Sequence, residues 1–171
     1  MAGKTAPGNE NAAKRVLLET NMGNITIELY SNMPITAGNF ENLVKNGTYD
    51  GTVFHRVIAD FMIQGGDPTG TGYGDPKIPK IQDEFVNGST NVRGTISMAN
   101  TGQPNSGSSQ FFINLVDNTF LDWDKPPASS RHPVFGKVVE GMDVVDKIGK
   151  VQTGPGDRPA NEVKIIRATV I

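Results

Sequence analysis

Apart from two helical stretches, the chain is a succession of short runs with strand character, cut apart by turns. Twenty glycines and eleven prolines punctuate it. Val16 to Glu19 is apolar, Asn21-Met22-Gly23-Asn24 supplies turn chemistry, and Ile25, Ile27 and Leu29 then alternate with polar neighbours. That pattern predicts a half-buried antiparallel hairpin. Further strands are predicted at Val53–Val57, Phe61–Gly65, Thr95–Ala99, Gln110–Leu115, Val134–Val139 and Val163–Val170. Pro34 opens a helix whose buried face is Ala37, Phe40 and Val44, and Asn46-Gly47 ends it. A second helix, about Met142 to Ile148, places Met142, Val145 and Ile148 on one side, with Gly149 as its terminator. So many short strands must hide their edges. The expected fold is therefore mainly β: a closed eight-stranded antiparallel β-barrel capped by two α-helices. An open α+β sandwich is compatible with the same pattern.

A chain of 171 residues with 36% hydrophobic content can bury one real core. Net charge is −2 and no basic block occurs, which argues against a nucleic-acid partner. No cysteine is present. Disulfides, thiolate chemistry and a Cys-based zinc site are thereby excluded, and a reducing compartment fits. Residues 1–14 are polar and without periodicity, so they read as a disordered tail rather than a signal peptide. No apolar run nears the ~18 residues of a membrane span, and the expectation is a cytoplasmic protein with no membrane contact. The triplets at Asn24, Asn46 and Asn87 match a glycosylation pattern by chance in such a setting.

Most candidate chemical motifs fail. GGDPTGTGYG lacks the Lys-Ser/Thr of a phosphate loop, and its glycines do not follow GxGxxG; it reads as a surface loop beside a groove. Ser108 and Ser109 have no nucleophile-elbow glycine after them. Only His55 and His132 could serve as a base, and their spacing suits no metal site. No cofactor and no metal are expected.

The segments VFHRVIADFMIQGGDPTGTG, SMANTG, SSQFFINL and HPVFGKVVEGMDVVDKI remain. Period two puts Met62 with Gln64 on one strand face and Phe61 with Ile63 on the other. It likewise puts Gln110 with Phe112, opposite Phe111 and Ile113. Each strand thus offers a face mixing polar and apolar groups, as a peptide groove requires.

Together these segments, in this order and spacing, resemble the cyclophilin signature over residues 15–171. The resemblance implies a single isomerase domain that catalyses cis-trans rotation about X-Pro bonds and assists protein folding. It implies Arg56 as the catalytic side chain and Phe112 as the floor of a proline pocket, ringed by Phe61, Met62 and Leu121. Gln64 and the backbone of Asn100 would hold the substrate chain, with Ala99 and Thr101 beside Asn100. His132 closes the far side, and Gln110 and Phe120 complete the set. His55 is assigned to structure. The implied partners are proline-containing peptides and folding proteins, engaged by a monomer. A module that merely binds proline peptides, with incidental turnover, is the competing reading.

Several positions depart from the family pattern. Phe120 stands where many members carry a tryptophan that grips cyclosporin, so weakened cyclosporin affinity is expected. The loop WDKPPASSR is longer than in compact members, and the segment from Gly70 to Glu84 is shorter than in many. Thr101 replaces a usual alanine and narrows the pocket beside the proline site.

Overall fold

The computed structural model describes residues 14–86 and 89–171. The rest of the expected tail (residues 1–13) and the Asn87 triplet lie outside the described residues. Strands β1 (Arg15–Thr20) and β2 (Gly23–Leu29) form the first hairpin, and helix α1 (Pro34–Lys45) follows. Then come β3 (Arg56–Ile58), β4 (Met62–Gly65), β5 (Thr95–Met98), β6 (Phe111–Asn114), β7 (Val134–Glu140), α2 (Met142–Ile148) and β8 (Ile165–Val170). They form one antiparallel sheet in the order β3-β4-β6-β5-β7-β2-β1-β8.

The expected closure of the barrel is corrected. The sheet curls, but its end strands β3 and β8 form no ladder. The strand expected at Val53–Val57 divides its pairing between two partners. Its first part faces the C-terminal segment: Phe54 N–H donates to the Val163 carbonyl (2.9 Å), and Ile165 N–H donates to the Thr52 carbonyl (2.8 Å). Val53 and Lys164 make only an isolated bridge there. Beyond His55 the chain turns to β4 instead, with Arg56 opposite Gln64. A short seam thus joins the two ends where a continuous ladder was expected.

Alternation decides which side chains enter the curl. Val16, Leu18, Ile25, Ile27, Ile63, Ile96, Phe111, Ile113 and Phe135 point inward and are buried. Helix α1 adds Ala37, Phe40 and Val44, the stripe its spacing predicts. Phe40 meets Tyr49 and Phe135 at 5.1 Å and Phe111 edge-on at 5.6 Å. Such contacts add specificity beyond the area they bury. Helix α2 buries Val144 together with Val145 and Ile148, while Met142 is only half-buried. The first turn of α1 has no side-chain cap from Met33. The Glu84 carboxylate caps it from a distant loop, accepting from Ile35 N (3.1 Å) and Thr36 N (2.8 Å).

The turn into α2 depends on Gly141, whose φ is +88° and whose absent Cβ would overlap the Asn24 carbonyl oxygen. Both are backbone features that cannot relax cheaply. Gly141→Ala should destabilise the fold by about 1–3 kcal/mol, lowering Tm by roughly 2–12 °C for a domain of this size. Gly154→Ala, in open space at φ −117°, should shift it by less than about 0.5 kcal/mol. Thermal unfolding of the two variants side by side checks this.

Candidate active site

Pairing of β3, β4, β6 and β5 puts Arg56 opposite Gln64, Gln64 opposite Phe112 and Phe112 opposite Ser97. Met62, Phe112 and Leu121 form a second apolar cluster, separate from the core, against which Ile58, Phe61 and Ala99 pack. Phe61 stands among the pocket residues as the resemblance implies, but not on the strand face it shares with Ile63 by alternation. It instead lies in a turn, with its N–H donating to the Ile58 carbonyl (3.1 Å) and Asp60 before it in the left-handed region (φ 60°). The turn breaks the period of two and brings the ring to the outer cluster.

A pocket of about 410 Å³ opens on this cluster. Arg56, Phe61, Met62, Gln64, Ala99, Asn100, Thr101, Phe112, Leu121 and His132 line it, with Gly102 and Ser129, two residues that sequence reasoning missed. Two expected residues stand apart. Gln110 lines a neighbouring cavity of about 850 Å³, bordered by Gly72 to Pro76 and Ile78 to Lys80. Phe120 stays outside the lining at 56% exposure, its ring stacked 6.1 Å from Phe61. Thr101 lines both cavities.

The polar side of the site is a chain of amides. Arg56 Nη1 donates to Gln64 Oε1 (3.4 Å), Gln64 Nε2 to Gln110 Oε1 (3.0 Å), and Gln110 Nε2 to the Gly72 carbonyl (3.0 Å). Each link orients the next, since an amide pointing its oxygen one way must point its NH₂ the other. Gly72 is itself held by the buried Asp67, which accepts from Gly72 N, Gly74 N and both Thr69 N and Oγ1. Burial alone would raise the Asp67 pKa, but these donors hold it below the usual value. The loop expected beside a groove thus lines one and holds the end of the amide chain. Its signal is an aspartate followed by Thr69, Thr71, Gly72 and Gly74, the chemistry of a turn wrapped around a carboxylate.

Asn100 spends its side chain on the protein, donating to the Arg131 carbonyl (2.9 Å) and accepting from Gly102 N (3.0 Å). Its main chain is the part left for a peptide. His132 Nδ1 donates to the Met98 carbonyl (3.1 Å), and its ring meets Phe112 edge-on at 5.1 Å. Beneath the pocket lies a buried polar layer. Asp122 accepts from Asn91 N and Nδ2 and from Thr90 Oγ1, and Asn91 Oδ1 accepts from Ser97 Oγ and Asn114 Nδ2. Asn118 Nδ2 donates to Asn114 Oδ1 and to the Phe61 carbonyl. This layer supports the turn that carries Leu121. Among the described residues no three His, Asp or Glu side chains are grouped as a metal ion would need.

The outer face of the curled β-sheet thus carries a pocket with an apolar floor, edged by an arginine and a row of amides. Residues 15–170 match the family described as cyclophilin type peptidyl-prolyl cis-trans isomerase/CLD. A peptidyl-prolyl cis-trans isomerase-like 1 of Neurospora crassa is 49% identical over 163 residues, covering 93% of this chain and 95% of that protein. A peptidyl-prolyl cis-trans isomerase of Acinetobacter baylyi is 49% identical over 160 residues, covering 91% of this chain and 84% of its own. The crystal structure of a Cryptosporidium parvum cyclophilin type isomerase superposes with a TM-score of 0.84 at 32% identity, covering 93% of this chain and 98% of that one. The structure of the Cryptosporidium protein in the presence of the dipeptide Ala-Pro gives a TM-score of 0.83 at 31% identity, with coverage of 92% and 98%. The chain belongs to the cyclophilin-type peptidyl-prolyl cis-trans isomerase family.

Both histidines have lowered pKa values. For His55 burial dominates, Asp67 opposes it, and Arg158 and Arg56 add to it. For His132 burial again dominates, against the Met98 hydrogen bond and Asp83. The unfolded chain binds protons on these rings at a higher pH than the folded one. Stability should therefore be flat above the ordinary histidine pKa of about 6.5 and fall as pH drops below it. Denaturant unfolding between about pH 7.5 and 5 checks this. His55→Gln should flatten part of the slope in that window, while the carboxylate-linked loss at lower pH remains.

Proposed function

We propose that this chain is a peptidyl-prolyl cis-trans isomerase that rotates X-Pro bonds and assists the folding of proline-containing chains, acting as a monomer. The observation that carries the reading is Arg56, without a carboxylate partner among the described residues, at the edge of an apolar pocket floored by Phe112. The proline ring sits on Phe112 between Met62, Phe61 and Leu121. Gln64 and the Asn100 main chain hold the flanking backbone, and His132 backs the pocket.

An X-Pro amide resists rotation by roughly 18–20 kcal/mol because its nitrogen lone pair is conjugated with the carbonyl. Its two end states differ by only about 0.5–1 kcal/mol, and no bond need break. At the twisted midpoint the lone pair localises on nitrogen and becomes an acceptor. The Arg56 guanidinium donates to it and, always protonated, cannot act as a base. That hydrogen bond exists mainly in the transition state, so it lowers the barrier rather than tightening binding. One charge-assisted bond is worth about 1.5–3 kcal/mol, whereas a millionfold acceleration needs about 8. The remainder comes from clamping the ring while the carbonyl side turns in a preorganised, water-poor site. The amide chain through Gln64 and Gln110 keeps Arg56 aimed and costs no reorganisation during the reaction.

Two variants separate these roles. Arg56→Ala should slow turnover about 10- to 150-fold and leave peptide affinity nearly unchanged, because the ground-state nitrogen offers no lone pair. Phe112→Ala should weaken binding and, as its ring is buried, destabilise the fold by about 3–5 kcal/mol. NMR exchange and peptide titration on the same samples read both quantities. Loss of binding in step with turnover in a folded Arg56→Ala protein would make Arg56 a substrate anchor instead.

Cyclosporin should bind with weakened affinity, because Phe120 at the rim lacks the area and the N–H of an indole. Phe120→Trp should tighten inhibition by about 5- to 30-fold, equivalent to about 1–2 kcal/mol, with small-peptide turnover nearly constant. A protease-coupled assay on an X-Pro peptide, with and without the inhibitor, measures both.

A further inference from the structure

A separate cavity of about 470 Å³ adjoins the proline pocket, lined among others by His55, Arg56, Gly72, Tyr73, Gly156 and Arg158. It shares Arg56 and Gln64 with the proline pocket. The two cavities therefore meet at Arg56 and Gln64, beside the place proposed for the proline. Two guanidiniums line this cavity and no carboxylate does. Arg15, Arg93 and Arg167 are paired with Glu28, Asp146 and Glu19. Among the described residues Arg56 and Arg158 have no such partner. The acid whose field reaches His55, Asp67, is fully buried, and its oxygens are occupied by its own loop.

Arg158 is held in place without being used up. Its backbone carbonyl accepts from Gly154 N (2.8 Å), and Nη2 donates to the Gly70 carbonyl. The turn before it packs on β3. A guanidinium has five N–H donors in a fixed fork suited to two oxygens of one anion. Arg158 thus keeps donors for a ligand and stays charged whether or not one is bound.

We propose that this cavity is a subsite for an anionic side chain close to the proline in the substrate, a carboxylate or a phosphorylated residue. Arg158 makes the contact and Arg56 adds its charge. The proposal rests on the reading of Arg56 and Phe112 as the isomerisation site. It gives the enzyme a preference for acidic X-Pro sequences that an apolar pocket alone would not confer.

The test uses X-Pro peptides in which one residue at a time, from two before to two after the proline, is Gln, Glu, Lys or phosphoserine. Affinity and kcat/KM are read from the same NMR samples. At one position Glu should exceed Gln by about two- to fivefold at low ionic strength, an advantage that salt removes. Phosphoserine should exceed Glu, with its larger charge and third oxygen. Arg158→Gln should bring the Glu-to-Gln ratio to one, Arg158→Lys should retain part of it, and Arg158→Glu should favour the Lys peptide. A gain for phosphoserine alone supports the site and assigns it to modified substrates. Equal affinity of the Gln, Glu and phosphoserine peptides at every position, or an advantage that survives Arg158→Gln, overturns the subsite. Peptides that bind with the Glu preference but do not turn over would instead sink the isomerase reading and leave the subsite standing.

Discussion

The register of β6 against β4 decides what the rest of the molecule can be. Phe111 and Ile113 point into the curl, while Phe112 and Asn114 point out of it, and all four are buried. A slip of one residue would exchange the sets, driving Asn114 into the aromatic core and turning Phe111 outward. Because this strand is buried on both faces, the slip is penalised twice. The pocket and the core are two sides of four residues, and neither can be assembled without the other.

What lies under the pocket is polar rather than greasy. The Asn91, Ser97, Asn114, Asn118 and Asp122 side chains form a connected set of hydrogen bonds that Thr90, Thr95 and the Phe61 carbonyl complete. Such a network is costly when one member is missing and rigid when complete. It lets Leu121 and Phe112 hold their positions without depending on close packing alone. The amide chain from Gly72 to Arg56 plays the matching part on the other wall. The site thus sets oriented dipoles on either side of an apolar floor.

Local regularity was legible from sequence, and long-range partnership was not. The hairpin at Asn21–Asn24, the α1 stripe of Ala37, Phe40 and Val44, and the alternation about Phe112 follow from period and turn chemistry. The barrel expected to close stays open, because nothing in Val53–Val57 announces that it serves two partners. Phe61 was misplaced by alternation since the turn at Asp60 interrupts the period one residue before β4. Its place in the pocket followed from the family resemblance. Gln110 and Phe120, expected among the substrate-binding residues, lie next to the proline pocket rather than in its lining, a placement set by the packing of loops. Asp67 and Arg158 gave weaker signals still. A carboxylate that gathers a loop and a cation fixed to a remote carbonyl are both defined by contacts far apart in sequence.

Strands β1 and β8 are neighbours in the sheet although nearly the whole sequence separates them. The seam beside His55 is likewise completed by residues 163–165. On a ribosome, synthesis delivers these partners long after the segments they join. Until then β1 has a free edge, the core is open on that side, and the segment leading into Arg56 lacks its backing. A nascent chain of this protein must therefore wait for β8 before it can protect this hydrophobic interior. For a protein that tends the slow steps of other chains, its own assembly is governed by the same delay between local order and distant contact.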